Sequence, residues 1–161
     1  MSKVPIKSAK KGNQQYAALP VRHLASGEPE VLLLTSRGTK RWVVPKGWPM
    51  LGRSPAETAA TEAYEEAGIK GRIIGPTPIG RYYYDKQLVG GGVRTITVDL
   101  FLLEVVRQLA TWPEQAERET HWFKPKQAEA LVAEPDLATI LGNLMTLLVK
   151  AGLAPSQPLV A

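Results

Sequence analysis

The 161-residue chain contains no cysteine, and this absence excludes several classes of site at once. Without thiols there is no disulfide framework, no cysteine nucleophile, no iron–sulfur cluster and no zinc site built on thiolates. Histidine is almost as scarce: only His23 and His121 occur, far apart in the sequence, and we expect both to be structural. Zinc is therefore a poor fit to this sequence, since it favours nitrogen and sulfur ligands.

Long hydrophobic runs are also missing. The longest hydrophobic stretch without a charge that has helical character, from Leu137 to Val149, contains 13 residues. A membrane-spanning helix needs about 18 or more. No apolar run follows the lysines of the amino-terminal segment MSKVPIKSAKK, so this segment does not resemble a secretory signal. We expect no membrane association and a cytoplasmic location.

Acidic residues are absent from the first 15 positions, and this accounts for most of the net charge of +5. Residues 1–15 contain four of the 20 basic residues, all lysines, so the other 16 stand against the 15 acidic residues of the remaining chain. We expect residues 1–15 to be a flexible basic arm, residues 16–152 to form a single domain, and residues 153–161 to be a loose tail. Because the folded part is nearly neutral, we do not expect nucleic acid to be the primary partner.

Hydrophobic patterning predicts a layered domain of strands and helices. Apolar residues make up 44% of the chain, which is enough for one globular core. Short apolar and β-branched runs predict strands at residues 16–24, 31–34, 42–44, 72–74, 79–84 and 94–106. Helical spacing predicts helices at residues 55–67, 126–133 and 136–150. Such a mixture is typical of an α/β or α+β domain.

The helix at residues 55–67 carries clear end signals. Ser54, Pro55 and Glu57 form a capping box with proline at the first helical position. Gly68 supplies the left-handed residue that ends the helix. We assign Glu57 to the cap and not to a functional site.

Three carboxylates, those of Glu62, Glu65 and Glu66, fall on one face of this helix at spacings i, i+3 and i+4. They repel one another, and they lie in the carboxyl-terminal half, where the helix dipole disfavours negative charge. One interpretation is a solvated acidic face. The other, which we favour, is a compensating cation: a hard divalent ion such as Mg²⁺ takes oxygen ligands and bridges carboxylates to phosphates.

The segment from Gly47 to Ile69 resembles the Nudix box, whose 23-residue pattern is G-x5-E-x7-R-E-U-x-E-E-x-G-U. Two positions depart from this pattern: Arg53 stands at its first glutamate, and Thr61 stands at its arginine. The box is therefore degenerate. The positions that match in register are Gly47, Glu62, Glu65, Glu66, Gly68 and Ile69. Segments outside the box, among them Trp112-Pro113-Glu114 and His121-Trp122-Phe123, are most similar to the diphosphoinositol-polyphosphate and diadenosine-polyphosphate hydrolase branch.

This resemblance implies an α/β/α sandwich with a mixed central sheet, and metal-dependent hydrolysis of a phosphoanhydride bond. It implies that Glu62 and Glu66 hold Mg²⁺ or Mn²⁺, with a backbone carbonyl of Lys46 or Gly47 as a further ligand. Glu65 either completes the metal shell or acts as a base, so Glu65 and Glu66 are the predicted catalytic residues. Some family members take the base from a later loop, where the candidates are Glu114, Glu117 and Glu119.

A substrate that carries phosphates also needs cations nearby. We predict substrate contacts from Arg41, Lys46 and Arg94, with Gly47 at the same bend. Arg81, Lys86 and the tyrosines at 82–84 are further candidates for the edge of the pocket. Trp112 and Trp122 are expected to pack and not to bind.

Two other functions remain open. The departures at Arg53 and Thr61 are compatible with a ligand-binding or sensor module that kept the scaffold and lost the chemistry. The lysine-bearing arm is compatible with a nucleic-acid accessory protein. The sequence does not specify the individual substrate or the oligomeric state.

Overall fold

The computed structural model of the protein describes residues 12–153. Most of the predicted basic arm and most of the predicted tail lie outside these residues. Within the described range, β1 begins at Gln14, so the last two positions assigned to the arm already belong to a strand. No helix in this part of the chain is long and apolar enough to cross a membrane.

Within residues 12–153, the strands form one mixed sheet with the central order β3-β2-β1-β7-β5. At its centre β1 runs parallel to β7, and the other pairings are antiparallel. β4 also pairs with β1, β6 with β7, and β8 with β2. The strands are β1 (Gln14–His23), β2 (Pro29–Thr35), β3 (Trp42–Val43), β4 (Lys46–Gly47), β5 (Ile69–Ile73), β6 (Gly80–Gln87), β7 (Val93–Gln108) and β8 (Thr120–Phe123).

Helices cover the sheet and leave two separate apolar clusters. One cluster packs α1 against strand residues such as Phe101 and Leu103 through Ala59, Ala63 and Ala67. The other packs the carboxyl-terminal helices against other strand residues of the sheet. The helices are α1 (Pro55–Ala67), α2 (Pro125–Leu131), α3 (Pro135–Gly142) and α4 (Leu144–Lys150). The predicted α/β layering is confirmed.

The predicted bounds and caps of α1 are confirmed. The Ser54 side chain accepts a hydrogen bond from the Glu57 amide, and the Glu57 carboxylate accepts one from the Ser54 amide. Gly68 ends the helix with φ of 69°. A methyl group at Gly68 would also overlap with the ring of Trp112, which packs against this turn.

Three predicted elements differ from the structure. The single helix predicted at residues 136–150 is two helices, because Asn143 adopts a non-helical conformation (φ −103°, ψ 13°) between α3 and α4. The Pro-Lys-Gly bend that was predicted to end a strand contains a further short strand, β4, paired with β1. β5 begins at Ile69, three residues before the predicted position, because it pairs with β7 immediately after α1.

Candidate functional site

A cleft of about 890 Å³ opens beside β4. It is lined by residues of β1, β4, α1 and β6 and by the loops that precede β3, β8 and α3. Five basic side chains and three acidic ones line it, so the lining is polar and carries a positive balance. The lining residues are Gln15, Ser36, Arg37, Thr39, Arg41, Lys46, Gly47, Trp48, Glu66, Tyr83, Tyr84, Asp85, Lys86, Gln87, Arg118, Ala133, Glu134 and Pro135.

Helix α1 contributes Glu66 to the lining of this cleft and carries Glu62, which is not a lining residue, one turn earlier. Glu62 and Glu66 lie one turn apart on the buried side of the helix, where Glu62 is 0% exposed and Glu66 is 6% exposed. The alanines on the same side of α1 pack onto the sheet, and this contact turns the two carboxylates inward and not toward solvent. The interpretation as a solvated acidic face is therefore wrong for Glu62 and Glu66.

Gly47 of β4 allows the Glu62 carboxylate to lie against the backbone. A Cβ atom at position 47 would overlap with both carboxylate oxygens of Glu62 and with its Cδ atom. Glycine is required here for space and not for backbone conformation, because its φ is not positive. The Gly47 backbone and the Glu62 carboxylate thus meet in one crowded cradle.

Glu66 is held through both of its carboxylate oxygens. The backbone amide of Lys46 donates a hydrogen bond of 3.3 Å to Oε1. The guanidinium of Arg118 donates from Nη2 to Oε2, also at 3.3 Å. The same guanidinium donates from Nε to Glu114 Oε1 at 3.0 Å and from Nη1 to the Thr35 carbonyl at 3.3 Å.

The surroundings of Glu66 favour its protonated form. Burial, and next the negative charge of Glu62, raise its pKa to about 8, while Arg118 and Lys46 act in the opposite direction. Burial also lowers the pKa of the Lys46 ammonium, which lies 5.1 Å from the centre of the Tyr84 ring. Glu62 and Glu66 are thus two buried carboxyl groups, and Glu66 retains a proton near neutral pH. A divalent cation would stabilise the ionised form of this pair.

This pKa predicts a pH dependence of stability in metal-free protein. Because the pKa of Glu66 in the fold exceeds its unfolded value of about 4.3, the folded state keeps a proton that the unfolded state has released. The resulting stabilisation is complete below about pH 4.3 and is lost as the pH rises through about 8. Relative to Glu66→Gln, the wild-type free energy of unfolding should fall by about 3–4 kcal/mol between pH 5 and pH 8.

Urea unfolding of both proteins in EDTA, at several pH values, measures this difference. Glutamine at position 66 has no proton to release. The difference between the two proteins therefore cancels the contribution of titrating groups that do not interact with Glu66. A difference between the two proteins that stays constant from pH 5 to pH 8 would contradict the assigned pKa.

Glu65 is placed differently from the other two carboxylates. It is only half-buried and does not line the cleft. Among residues 12–153, no three His, Cys, Asp or Glu side chains lie together as a possible metal site. The residues that fit a divalent ion are therefore the pair Glu62 and Glu66, whose oxygens converge beside the backbone of β4, whereas the structure does not bring Glu65 into that pair.

The predicted substrate-binding cations divide into two groups. Lys46 and Arg41 line the cleft. Arg41 Nη1 forms an ion pair of 3.0 Å with Oε1 of Glu134, whose side chain is 7% exposed. Arg94 is not among the lining residues. Its register partner on β6, Lys86, does line the cleft, so of this cross-strand pair only the β6 residue is a lining residue.

Other candidates are also sorted by the fold. Tyr83 and Tyr84 line the cleft, and burial raises the pKa of Tyr84 to about 12. Tyr82 is 1% exposed and belongs to the core, and Arg81 pairs with Asp99 outside the cleft. Trp112 and Trp122 pack as expected, Trp122 beneath the Arg22 guanidinium at 4.1 Å.

The three acids of the later loop are also separated. Glu114 is bound to Arg118 next to Glu66, and Glu117 pairs with Arg37 at 2.9 Å. Glu119 is exposed and contributes a backbone amide to Thr35 Oγ1. Of these predicted bases, Glu114 is the one whose carboxylate is connected to Glu66, through the Arg118 guanidinium.

The two residues that depart from the box pattern contact each other. Arg53 Nη1 donates a 2.7 Å hydrogen bond to Thr61 Oγ1 on the exposed side of α1. Thr61 Oγ1 in turn donates to the Glu57 carbonyl. Neither residue lines the cleft, so this pair stabilises the helix surface and does not touch Glu66.

Sequence reasoning missed Arg118 and Glu134. The spacing of Glu114 and Arg118 was a signal for an ion pair, which does form. No local signal connected Arg118 with Glu66, because the two residues are 52 positions apart. Glu134 precedes a proline at the start of α3 and had no distinguishing pattern of its own.

Comparison with known proteins gives one consistent result. A sequence model described as the NUDIX domain matches residues 16–144. "Nudix hydrolase 13, mitochondrial" of Arabidopsis thaliana is 31% identical over 131 residues, which cover 76% of this chain and 63% of that protein. "Diphosphoinositol polyphosphate phosphohydrolase 3-alpha" of Mus musculus is 34% identical over 104 residues, covering 63% of this chain and 58% of the relative. The matches thus span less than two thirds of these relatives.

Solved structures show the same fold. A C. elegans Ap4A hydrolase in a binary complex superposes with a TM-score of 0.64 at 20% identity, over 86% of this chain and 99% of that one. A Nudix hydrolase from M. smegmatis gives a TM-score of 0.59 at 19% identity, over 96% and 99% of the two chains. The predicted α/β/α architecture agrees with both.

Proposed function

Since this chain belongs to the NUDIX domain family, we propose that it is a metal-dependent hydrolase that cleaves a phosphoanhydride bond in a small diphosphate-containing substrate. The observation that carries the proposal is the buried pair Glu62 and Glu66 beside β4, with Glu66 in the lining of a cleft that has a positive balance of charge. Paired buried carboxylates are costly unless a cation accompanies them. A phosphate-bearing ligand supplies the negative charge that the basic lining would attract.

The proposed cofactor is Mg²⁺ or Mn²⁺, held by Glu62 and Glu66 with a backbone carbonyl of Lys46 or Gly47. Such an ion neutralises phosphate oxygens and promotes ionisation of a water nucleophile. Glu65 remains a predicted further ligand or base, although it is only half-buried, whereas Glu62 and Glu66 are buried beside β4.

The chain's own residues would divide the remaining work. Lys46 and Arg41 would bind the phosphates, because both line the cleft. The amide of Lys46 fixes Glu66 Oε1 and so orients one oxygen of that carboxylate. Glu114, which lies on the other side of Arg118 from Glu66, is the proposed acceptor of the water proton if that base comes from the later loop.

For the substrate we propose a dinucleoside polyphosphate, a diphosphoinositol phosphate or a related nucleotide. The support is the printed names of similar proteins, a diphosphoinositol polyphosphate phosphohydrolase and an Ap4A hydrolase. Tyr83 and Tyr84 offer the cleft two aromatic rings for a base, and the lysines at 46 and 86 offer charge for phosphates.

A second candidate function is a ligand-binding or sensor module without turnover. It is favoured by the contact between Arg53 and Thr61, which leaves the box positions for glutamate and arginine occupied by a pair facing away from the carboxylates. In this case Thr61→Arg, combined with Arg53→Glu, would be expected to introduce hydrolysis where the wild type has none.

The deciding experiment is a panel of dinucleoside polyphosphates, diphosphoinositol phosphates, nucleotide sugars and nucleoside triphosphates. Each is incubated with Mg²⁺ or Mn²⁺ and with wild type or Glu66→Gln, and products are separated by chromatography. Release of phosphate or a mononucleotide by the wild type, but not by Glu66→Gln, supports hydrolysis. Binding measured by calorimetry with every substrate left intact supports the sensor function instead.

The cytoplasmic location and the minor role of nucleic acid stay predictions. Several relatives carry the word "mitochondrial" in their names, which makes a mitochondrial location the alternative to test. Removal of residues 1–11, which contain the four lysines and leave β1 intact, tests the arm. If these lysines bound nucleic acid, affinity for RNA or DNA and its dependence on salt would be lost together.

A further inference from the structure

The carboxyl-terminal turn of α1 contains Glu65 and Glu66 but no basic residue. Thr61 has no charge, and Arg53 is engaged with it on the exposed side of the helix. Lys70, just past the helix, lies over the Tyr64 ring at 4.2 Å. The cation that holds the Glu66 side chain therefore comes from another part of the fold.

A segment that we call the clamp, residues 108–118, covers this end of the helix. It donates hydrogen bonds to four consecutive carbonyl groups, which a helix end would otherwise leave without partners. The donors and acceptors are Glu114 N to Glu65 O at 2.9 Å, Trp112 Nε1 to Glu66 O at 3.2 Å, Gln108 Nε2 to Ala67 O at 3.0 Å, and Leu109 N to Gly68 O at 2.8 Å. The clamp thereby fixes where α1 ends relative to the cleft.

Arg118 extends the clamp from the helix backbone to the Glu66 carboxylate. Its side chain is only 9% exposed, and three of its nitrogens are used, one each for Glu66, Glu114 and the Thr35 carbonyl. A planar guanidinium with several partners restricts the rotation of the carboxylate it contacts. Together with the amide of Lys46, it fixes both oxygens of Glu66 in one orientation.

We propose that Arg118 is a positioning residue for Glu66, supplying from the clamp a cation that orients this carboxylate. The proposal rests on the proposed function in so far as Glu66 holds a metal ion. Three nitrogens of Arg118 are engaged by Glu66, Glu114 and the Thr35 carbonyl, so we expect loss of this side chain to act through the Glu66 carboxylate. Arg37, on the same cleft, provides the contrast: its side chain is 63% exposed and it pairs only at the surface with Glu117.

The test is Mn²⁺ binding to the metal-free full chain, measured by electron paramagnetic resonance without substrate. The proteins are wild type, Arg118→Ala, Arg118→Lys and the matched control Arg72→Ala, which removes an exposed arginine that pairs with Glu104 and does not line the cleft. We expect Arg118→Ala to raise the Mn²⁺ Kd about tenfold, as loss of a group that orients a metal ligand does. Arg118→Lys keeps the charge without the planar guanidinium and should lie between, while Arg72→Ala should match wild type.

The kinetic counterpart uses any substrate that the wild type hydrolyses. Loss of a positioning residue should lower kcat about tenfold and change KM by less than threefold. An unchanged or lower Mn²⁺ Kd in Arg118→Ala, or a raised KM with unchanged kcat, would overturn the proposal. If Arg118→Ala fails to fold by circular dichroism, Arg118→Lys decides the question by the same criteria, with a Kd equal to wild type counting against it.

The two levels of inference fail separately. If the substrate panel shows no hydrolysis but Arg118→Ala still raises the Mn²⁺ Kd, the proposed activity is wrong and the positioning role of Arg118 remains. A wild-type protein that binds no Mn²⁺ would overturn both the metal site and the role of Arg118.

Discussion

Glu66→Gln should lower kcat by about a thousandfold on any substrate that the wild-type protein hydrolyses, which corresponds to about 4 kcal/mol of transition-state stabilisation. Glutamine keeps the shape of the side chain and can still accept the hydrogen bond from the Lys46 amide. It lacks the negative charge that a divalent ion requires. The fold should survive, because burial already favours the uncharged form of this carboxyl.

The control for this substitution is Glu104→Gln. Glu104 is an exposed acid on β7 that pairs with Arg72 and does not line the cleft, so its loss should leave activity unchanged. Steady-state kinetics at saturating Mn²⁺, with Mn²⁺ affinity measured in parallel, separates a binding defect from a chemical one. If Glu66→Gln keeps more than a tenth of wild-type kcat, Glu66 is not the metal ligand that we propose.

Glu65→Gln in the same series decides the role of the third carboxylate. Reduced kcat with unchanged Mn²⁺ affinity would identify Glu65 as the base, whereas reduced affinity would identify it as a ligand. Activity equal to wild type would leave Glu114, which Arg118 connects to Glu66, as the proposed base.

Gly47→Ala is the second substitution with a large expected effect. The added methyl group would overlap with the carboxylate of Glu62, which is fully buried and has no solvent to move into. We expect overpacking to reduce the free energy of unfolding by about 2–3 kcal/mol. Displacement of Glu62 should also lower kcat about a hundredfold, since small errors in position are costly at such sites.

Gly12→Ala is the matched control, because a methyl group at Gly12 meets no neighbouring atom closer than 3.9 Å. Urea unfolding and steady-state kinetics of the two variants test the two expectations together. A Gly47→Ala protein with wild-type activity and stability would show that the Glu62 carboxylate can occupy another position without loss.

Local signals were sufficient to predict α1 and the face that carries the carboxylates. The capping box at Ser54 and the terminating Gly68 depend only on neighbouring residues, and both occur as predicted. The inward orientation of Glu62 and Glu66 also follows from helical periodicity once the alanines are known to face the sheet. Lys46 and Arg41 were predicted from their closeness to the helix in sequence and do line the cleft.

Features that depend on distant residues were not accessible in this way. Contact between Arg118 and Glu66 requires the loop before β8 to return to the end of α1, which no local pattern specifies. Lys86 and Arg94 are register partners, and no local pattern specifies that the β6 residue lines the cleft whereas the β7 residue does not. The break at Asn143 interrupts a run of apolar residues whose helical spacing continues on both sides, so periodicity alone could not reveal it.

The parallel pairing of β1 with β7 has a consequence for how the protein is made. Their register joins Gln14 to Thr97 and Val21 to Glu104, so the middle of the sheet cannot assemble until residues 97–104 have left the ribosome. Such distant pairings carry a large loop-closure entropy, and proteins dominated by them fold slowly. During synthesis the nascent β1–β2 hairpin would expose an unpaired strand edge, which is a template for aggregation.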